Sequence, residues 1–142
     1  MNEKPQIVDG GVYKMEHIKL QNIEYCLEII KKLKEQIEDE EAVCDIENAI
    51  DLVRQWLNYK NDISEDLYNL LDNEEHSFTI YQEAETDEYM IETWNCIIDA
   101  VAYICRKIYE NQGAEYFPEP IELVDEETYL QLLASYEKCI KN

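Results

Sequence analysis

Residues 87–110 carry the sequence pattern that most restricts the fold of this chain. Apolar side chains recur there at steps of three and four residues and cover more than half of the circumference of a helix. They are Met90, Ile91, Trp94, Ile97, Ile98, Val101, Ala102, Ile104, Cys105, Ile108 and Tyr109. A helix that is apolar over so wide an arc must be surrounded by other elements. We therefore predict a central helix over about residues 87–110.

The flanking sequence predicts further amphipathic helices. We expect one helix from Tyr13 or Met15 to the acidic cluster at 38–41 and a second over 40–59. A third is expected over 64–71, with Asp62 or Ser64 as its cap, and a last one begins after Asp125, which caps it. Only three glycines and three prolines are present, which suits long helices and not a sheet with many turns. The prediction is an all-α fold, with residues 1–142 forming a single compact bundle of about five to six helices and residues 1–12 forming an N-terminal arm.

Two connections are less regular. Residues 77–81 alternate weakly between polar and apolar side chains and fit a short strand, an extended loop or a helical turn, so the structure of residues 76–84 stays open, with irregular or helical structure favoured. Gly113 is the expected end of the central helix. Pro118 and Pro120 predict an extended connection over 116–124.

The five cysteines include no CxxC pair, and their number is odd. Most lie among apolar residues at helical spacing, where thiols act as small hydrophobic groups. We expect no disulfide framework and a reducing, cytoplasmic location. The sequence shows no signal peptide and no run of about 20 apolar residues, so we expect no membrane span.

Catalytic and metal-binding patterns are weak. His17 is interpreted as an exposed helix residue, and His76 lies four residues after Asp72 without a third ligand at recognisable spacing. The cysteines lie in apolar surroundings that disfavour the thiolate, and no glycine-rich phosphate loop is present. We therefore predict no catalytic residues, no metal ligands and no cofactor.

One enzymatic alternative stays open, a magnesium-dependent all-α nucleotide pyrophosphatase. Such enzymes hold magnesium with an acidic helix pair, and Glu40, Glu41, Asp45 and Asp51 resemble that arrangement with the spacing out of register. Magnesium requires tight octahedral geometry, so the spacing matters. A solvated acidic helix face explains the same residues.

Charge is distributed very unevenly along the sequence. The first sixty residues have a formal charge of −5, whereas residues 61–137 have −18, with Arg106 and Lys107 as their only cationic side chains. A field of this sign repels nucleic acid and anionic lipid and attracts basic proteins. Lys31, Lys32 and Lys34 form only a small, balanced patch. We therefore expect a protein-binding role, with no binding of nucleic acid or membranes.

The candidate partner-binding residues lie within one acidic run in which aromatic side chains are interleaved. Aromatic residues supply desolvated anchors of an interface, and the surrounding charge supplies steering and partner choice. The predicted set is Asp62, Glu65, Asp66, Asp72, Glu74, Glu75, Tyr81, Glu85, Asp87 and Glu88. The alternative is that Tyr68 and Phe78 belong to the core and that the acids only maintain solubility.

Two stretches resemble a known group of proteins. Residues 67–75 (LYNLLDNEE) and residues 94–103 (WNCIIDAVAY), continuing to Tyr109 and the YFPEP turn at 116–120, resemble the all-helical immunity proteins of bacterial polymorphic-toxin systems. The resemblance covers about residues 15 to 140 and implies a small acidic protein, encoded beside a secreted toxin, that binds the toxin domain. We therefore expect a cytoplasmic, non-enzymatic immunity protein that neutralises a cognate toxin, expected to be a basic nuclease, through its acidic surface. An acidic nucleic-acid mimic that binds another basic protein is the further alternative.

Overall fold

The computed structural model describes the backbone of residues 10–119 and 121–141 and the side chains of residues 20–119 and 121–140. Within these residues the chain forms six α-helices and no strand, which confirms the all-α prediction. The helices are α1 (Gly10–Lys34), α2 (Glu40–Tyr59), α3 (Ser64–Leu71), α4 (Phe78–Glu83), α5 (Glu88–Asn111) and α6 (Glu126–Lys141), with a 3-10 turn at Ile121–Leu123 before α6.

Helix α5 is the centre of the molecule. It packs against α1, α3, α4, α6 and the 3-10 turn, while α2 packs against α1 and α3. Trp94 and Tyr103 on α5 are among the largest fully buried side chains. Burial of large apolar side chains along a helix stabilises the fold by about 1.5–3 kcal/mol for each one. The wide apolar arc that the sequence shows over 87–110 therefore corresponds to contacts on several sides.

The ends of several helices match the predictions. Helices α2 and α3 occupy the predicted ranges 40–59 and 64–71, and α5 extends from 88 to 111. Asp87 is the N-cap of α5, because its carboxylate accepts a hydrogen bond from the backbone N–H of Tyr89 at 3.2 Å. Gly113 follows α5 with a φ of +76°, a conformation that few residues other than glycine adopt. Asp125 accepts a hydrogen bond from the N–H of Thr128 at 3.0 Å, as expected for the residue that caps α6.

Three local predictions were wrong. Helix α1 begins at Gly10 and not at Tyr13 or Met15, since propensity is a weak predictor of where a packed helix begins. Of the predicted arm, residues 10–12 are therefore helical, and residues 1–9 lie outside the described residues, as does the side chain of His17. The connection over 116–124 includes the 3-10 turn. The N-cap of α3 is Ile63 without a side-chain cap bond, whereas Asp62 accepts hydrogen bonds from Ser64.

The segment whose structure the sequence leaves open is helical over Phe78–Glu83. Ser77 caps it, because its hydroxyl oxygen accepts a hydrogen bond from the N–H of Ile80 at 3.4 Å. Phe78 is fully buried, with its ring centroid 5.8 Å from that of Trp94. This short helix forms against α5, since six residues are too few for a stable isolated helix.

Candidate protein-binding surface

The ten predicted partner-binding residues, named here the acidic strip, extend along the length of α5. At one end Asp87 caps the N-terminus of α5, and at the other Asp62 accepts a hydrogen bond at 2.9 Å from the side chain of Gln112, just past the C-terminus. A helix of 24 residues is roughly 36 Å long. The strip therefore has separate groups of residues and not one compact patch.

The first group lies at the C-terminal end of α5 and has a structural role. The hydrogen bonds that Gln112 and Ser64 donate to Asp62 hold the pKa of this exposed carboxyl below its usual range. These bonds fix the connection between α2 and α3. Glu65 and Asp66 are exposed in the first turn of α3, where negative charge stabilises a helix.

The second group lies in the connection between α3 and α4. Asp72, Glu74 and Glu75 are all exposed, and Asp72 accepts a hydrogen bond from the hydroxyl of Thr79 at 3.2 Å. His76 does not share a helical face with Asp72, because both residues follow the end of α3.

The His76 imidazole instead lies beside α2. Its Nδ1 is 3.6 Å from the carboxylate of Glu41, 4.0 Å from that of Asp45 and 3.5 Å from the hydroxyl of Tyr81. The imidazole therefore joins the α3–α4 connection to α2 near the third group of the strip.

The third group surrounds the N-terminus of α5 and borders a concave site. Tyr81, Glu85 and Asp87 line a groove of about 530 Å³, while Glu88 is exposed next to it. The other side of this groove comes from the connection between α1 and α2. We name it the acidic groove; its lining is Gln36, Ile37, Glu38, Asp39, Ala42, Tyr81, Ala84, Glu85, Asp87, Met90 and Trp94.

The floor of the acidic groove is apolar and firmly packed. Ile37, Ala42 and Trp94 are buried, and Met90 is half-buried. The ring of Tyr81 stacks on that of Trp94 with centroids 5.5 Å apart. A side chain that enters the groove therefore meets the half-buried Tyr81 and Met90, because the other floor residues lie beneath the surface.

Hydrogen bonds hold both sides of the groove to the scaffold. The hydroxyl of Tyr81 donates to Asp45 at 2.6 Å, and burial together with this carboxylate raises the pKa of Tyr81. On the other side, the side-chain carbonyl of Gln36 accepts hydrogen bonds from Tyr89 at 2.8 Å and Thr93 at 3.2 Å. The two sides are therefore fixed relative to α2 and α5.

The rim of the groove is anionic. Glu38, Asp39, Glu85 and Asp87 belong to the lining, which contains no lysine or arginine. Among the residues whose side chains the structure describes, no lysine or arginine lies within 4.0 Å of a carboxylate of the rim or of the acidic strip.

Five of the described lysines and arginines pair with other acids. Lys34 pairs with Glu47 at 3.2 Å, and Lys107 lies 3.1 Å from Glu126. The negative charge of the groove and strip is therefore not compensated by ion pairs with the described lysines and arginines.

Sequence reasoning identified only part of this groove. It singled out Tyr81, Glu85 and Asp87 but not Glu38 and Asp39, which it interpreted as a helix boundary. The acidic run at 38–41 was a visible signal. That Glu38 and Asp39 share a groove with Glu85 and Asp87 is a tertiary feature, which the sequence does not show.

The four carboxylates considered for magnesium do not all lie together, although Glu41 and Asp45 both lie beside His76. Asp45 accepts the hydrogen bond of Tyr81, whereas Asp51 lies in a separate depression beside Asp66 and Leu70 of α3. In the described part of the chain, no group of three or more His, Cys, Asp or Glu side chains is arranged to hold a metal ion. The described helices also include none that is long and apolar enough to cross a bilayer.

Comparison with known proteins identifies one family. The model of the family described as "Immunity protein Imm6" matches residues 21–139, a range that includes the whole of α2 to α5 and every residue that lines the acidic groove. Neither the curated proteins nor the solved structures include a match to the chain.

Proposed function

We propose, from the premise that the chain belongs to the Imm6 family of immunity proteins, that it binds a cognate toxin domain and neutralises it. It acts by occupying the toxin and not by chemistry of its own. The general role is inferred from the family, and the properties expected of the partner are inferred from the surface of this chain.

We further propose that the toxin is basic and that it contacts the acidic strip and the acidic groove. The observation that carries this proposal is the lack of lysine or arginine partners, among the described side chains, for the carboxylates of both surfaces. Like charges that are not paired within the protein repel one another and favour a cationic partner. The formal charge of −21 extends this attraction beyond the contact surface.

A basic partner is most easily understood as a nuclease. An enzyme that cuts nucleic acid needs a cationic cleft for the phosphate backbone. An acidic protein that occupies the cleft, or binds beside it, excludes the substrate. Charge steering would raise the association rate to about 10⁸ M⁻¹s⁻¹ at low salt, with a decrease as ionic strength rises.

The first test is protection of growing cells. The C-terminal domain of the toxin encoded by the adjacent reading frame is expressed with and without this chain, and colony formation is measured. Survival only in the presence of the chain, together with a purified complex, is the expected result. Absence of both protection and binding would refute the proposal, and capture of another basic protein instead would favour a nucleic-acid mimic.

The second test addresses the charged surface. In one variant Glu74, Glu75 and Glu88 are replaced by lysine, and Asp87 is retained because it caps α5. The control variant carries the same charge change at exposed acids elsewhere, namely Glu115→Lys, Glu122→Lys and Glu137→Lys. We expect the first variant to associate with the toxin domain more than tenfold more slowly at low salt, and the control less than threefold. Equal rates in the two variants would reject this surface.

A further inference from the structure

We infer that the acidic groove receives one lysine or arginine side chain from the toxin domain, with its aliphatic stem on Met90 and Tyr81 and its cationic group between Glu38 and Glu85. This inference rests on the proposed function and specifies which contact recognises the partner. It assigns the groove a ligand of one chemical class.

The shape and lining of the groove favour such a side chain. Lysine and arginine combine an apolar stem with a terminal cation, and they bury the stem along apolar surface while the cation contacts polar groups. Here the accessible apolar surface is that of Met90 and Tyr81, which are half-buried, and the polar groups are the carboxylates of the rim. A wholly apolar side chain would desolvate these carboxylates without a partner, which is unfavourable.

The fold explains only two of the four rim carboxylates. Asp39 caps α2 by accepting hydrogen bonds from the N–H groups of Glu41 at 2.9 Å and Ala42 at 3.4 Å, and Asp87 caps α5. Glu38 and Glu85 cap no described helix and have no described lysine or arginine within 4.0 Å. Their charges add repulsion to the free protein, which a bound cation would offset.

The groove is formed before any partner binds. Trp94 is only 2 % exposed and the Tyr81 ring is stacked on it, while Gln36 and Tyr81 are held by hydrogen bonds. Binding therefore requires little ordering of the groove, so more of the contact energy contributes to affinity.

A matched pair of variants tests this inference. Glu38→Gln/Glu85→Gln removes two of the four rim charges without affecting the caps, and Glu115→Gln/Glu122→Gln removes two charges from the exposed connection after α5. We expect the groove variant to weaken binding of the toxin domain by 10- to 100-fold at physiological salt and the control by less than threefold. Thermal unfolding confirms that both variants are folded.

Two further measurements identify the occupant. The methyl group of Met90, observed by ¹³C NMR in the unmodified protein, should change its chemical shift when the toxin domain binds. In a scan of toxin lysines and arginines to alanine, one position should lose affinity with the wild-type protein but not with the groove variant.

The outcomes separate the two proposals. If the toxin domain binds wild-type protein and groove variant equally and the Met90 signal does not change, the groove inference is wrong and the immunity role remains. If every lysine and arginine substitution in the toxin changes affinity equally for the wild-type protein and the groove variant, the groove does not bind a lysine or arginine side chain. If the wild-type protein neither binds nor protects, the proposed function itself fails.

Discussion

Asp99 provides a sharp test of the energetics of α5. Its carboxyl is half-buried on this helix, and burial, with a smaller contribution from Glu92, raises its pKa from 3.8 to about 6. The folded state therefore binds a proton more tightly than the unfolded state does. The full difference between 3.8 and 6 corresponds to about 3 kcal/mol, which partial solvent screening reduces to about 1–2 kcal/mol.

The sign of this effect follows from linkage. Below pH 3.8 the carboxyl is protonated in both states and does not change the free energy of unfolding. As the pH rises from 3.8 to 6, the carboxyl ionises first in the unfolded state, so the folded state loses stability. Above about pH 6 the cost is constant. Asp99→Asn keeps the shape of the side chain and removes the charge, so we expect it to stabilise the protein by about 1–2 kcal/mol at pH 8 and by about half as much at pH 5.

The assay is urea unfolding, followed by tryptophan fluorescence, at pH 5, 6, 7 and 8. Asp51→Asn, at an exposed position of α2, is the control and should change stability by less than about 0.5 kcal/mol at each pH. An Asp99→Asn variant that is destabilised at pH 8, or whose effect is the same at every pH, would contradict the assignment of a buried, charged carboxyl.

Three other predictions concern the scaffold. Gly113→Ala should lower the free energy of unfolding by about 1 kcal/mol, because the φ of +76° is strained for alanine although a Cβ there meets no atom within 4 Å; an unchanged urea midpoint would count against this turn. Lys107→Met should lower the free energy of unfolding by about 2 kcal/mol, because the buried ammonium lies 3.3 Å from Glu110 and 3.1 Å from Glu126. A stabilised variant would show that these ion pairs do not offset the burial of the charge. Ellman's reagent should modify the exposed Cys44 rapidly in the folded protein and the four buried cysteines only after unfolding. Burial also raises the pKa of Cys105 to about 12, which disfavours the reactive thiolate. Rapid reaction of several thiols in the folded protein would indicate a looser core.

Much of the helical architecture could be predicted because the helices carry their own signals. The apolar periods at 40–59 and 64–71 and the caps at Asp87 and Asp125 are local features. Helix α4 is different, because its six residues acquire helical structure from burial of Phe78 against Trp94. Such a tertiary cause leaves no periodic pattern in a segment so short.

The candidate surface was less predictable than the fold. The sequence shows which residues of the strip are acidic. It does not show that Asp62 and Asp87, which are close in sequence, lie roughly 36 Å apart along α5. The groove depends on residues 36–42 and 81–94 meeting, which charge counting along a sequence does not reveal. Glu38 and Glu85 line the same groove only because the α1–α2 and α4–α5 connections meet there.

If the acidic groove binds the toxin as proposed, the way it is built bears on how partner choice can diverge. Except for Ile37, the floor belongs to packed helices, whereas Glu38 and Glu85 lie on short connections outside the helices. Substitutions at these two connections would therefore retarget the protein to a differently charged toxin at little cost in folding stability. A lineage in competition with changing toxins could in this way exchange specificity by a few point mutations while it inherits an unaltered scaffold.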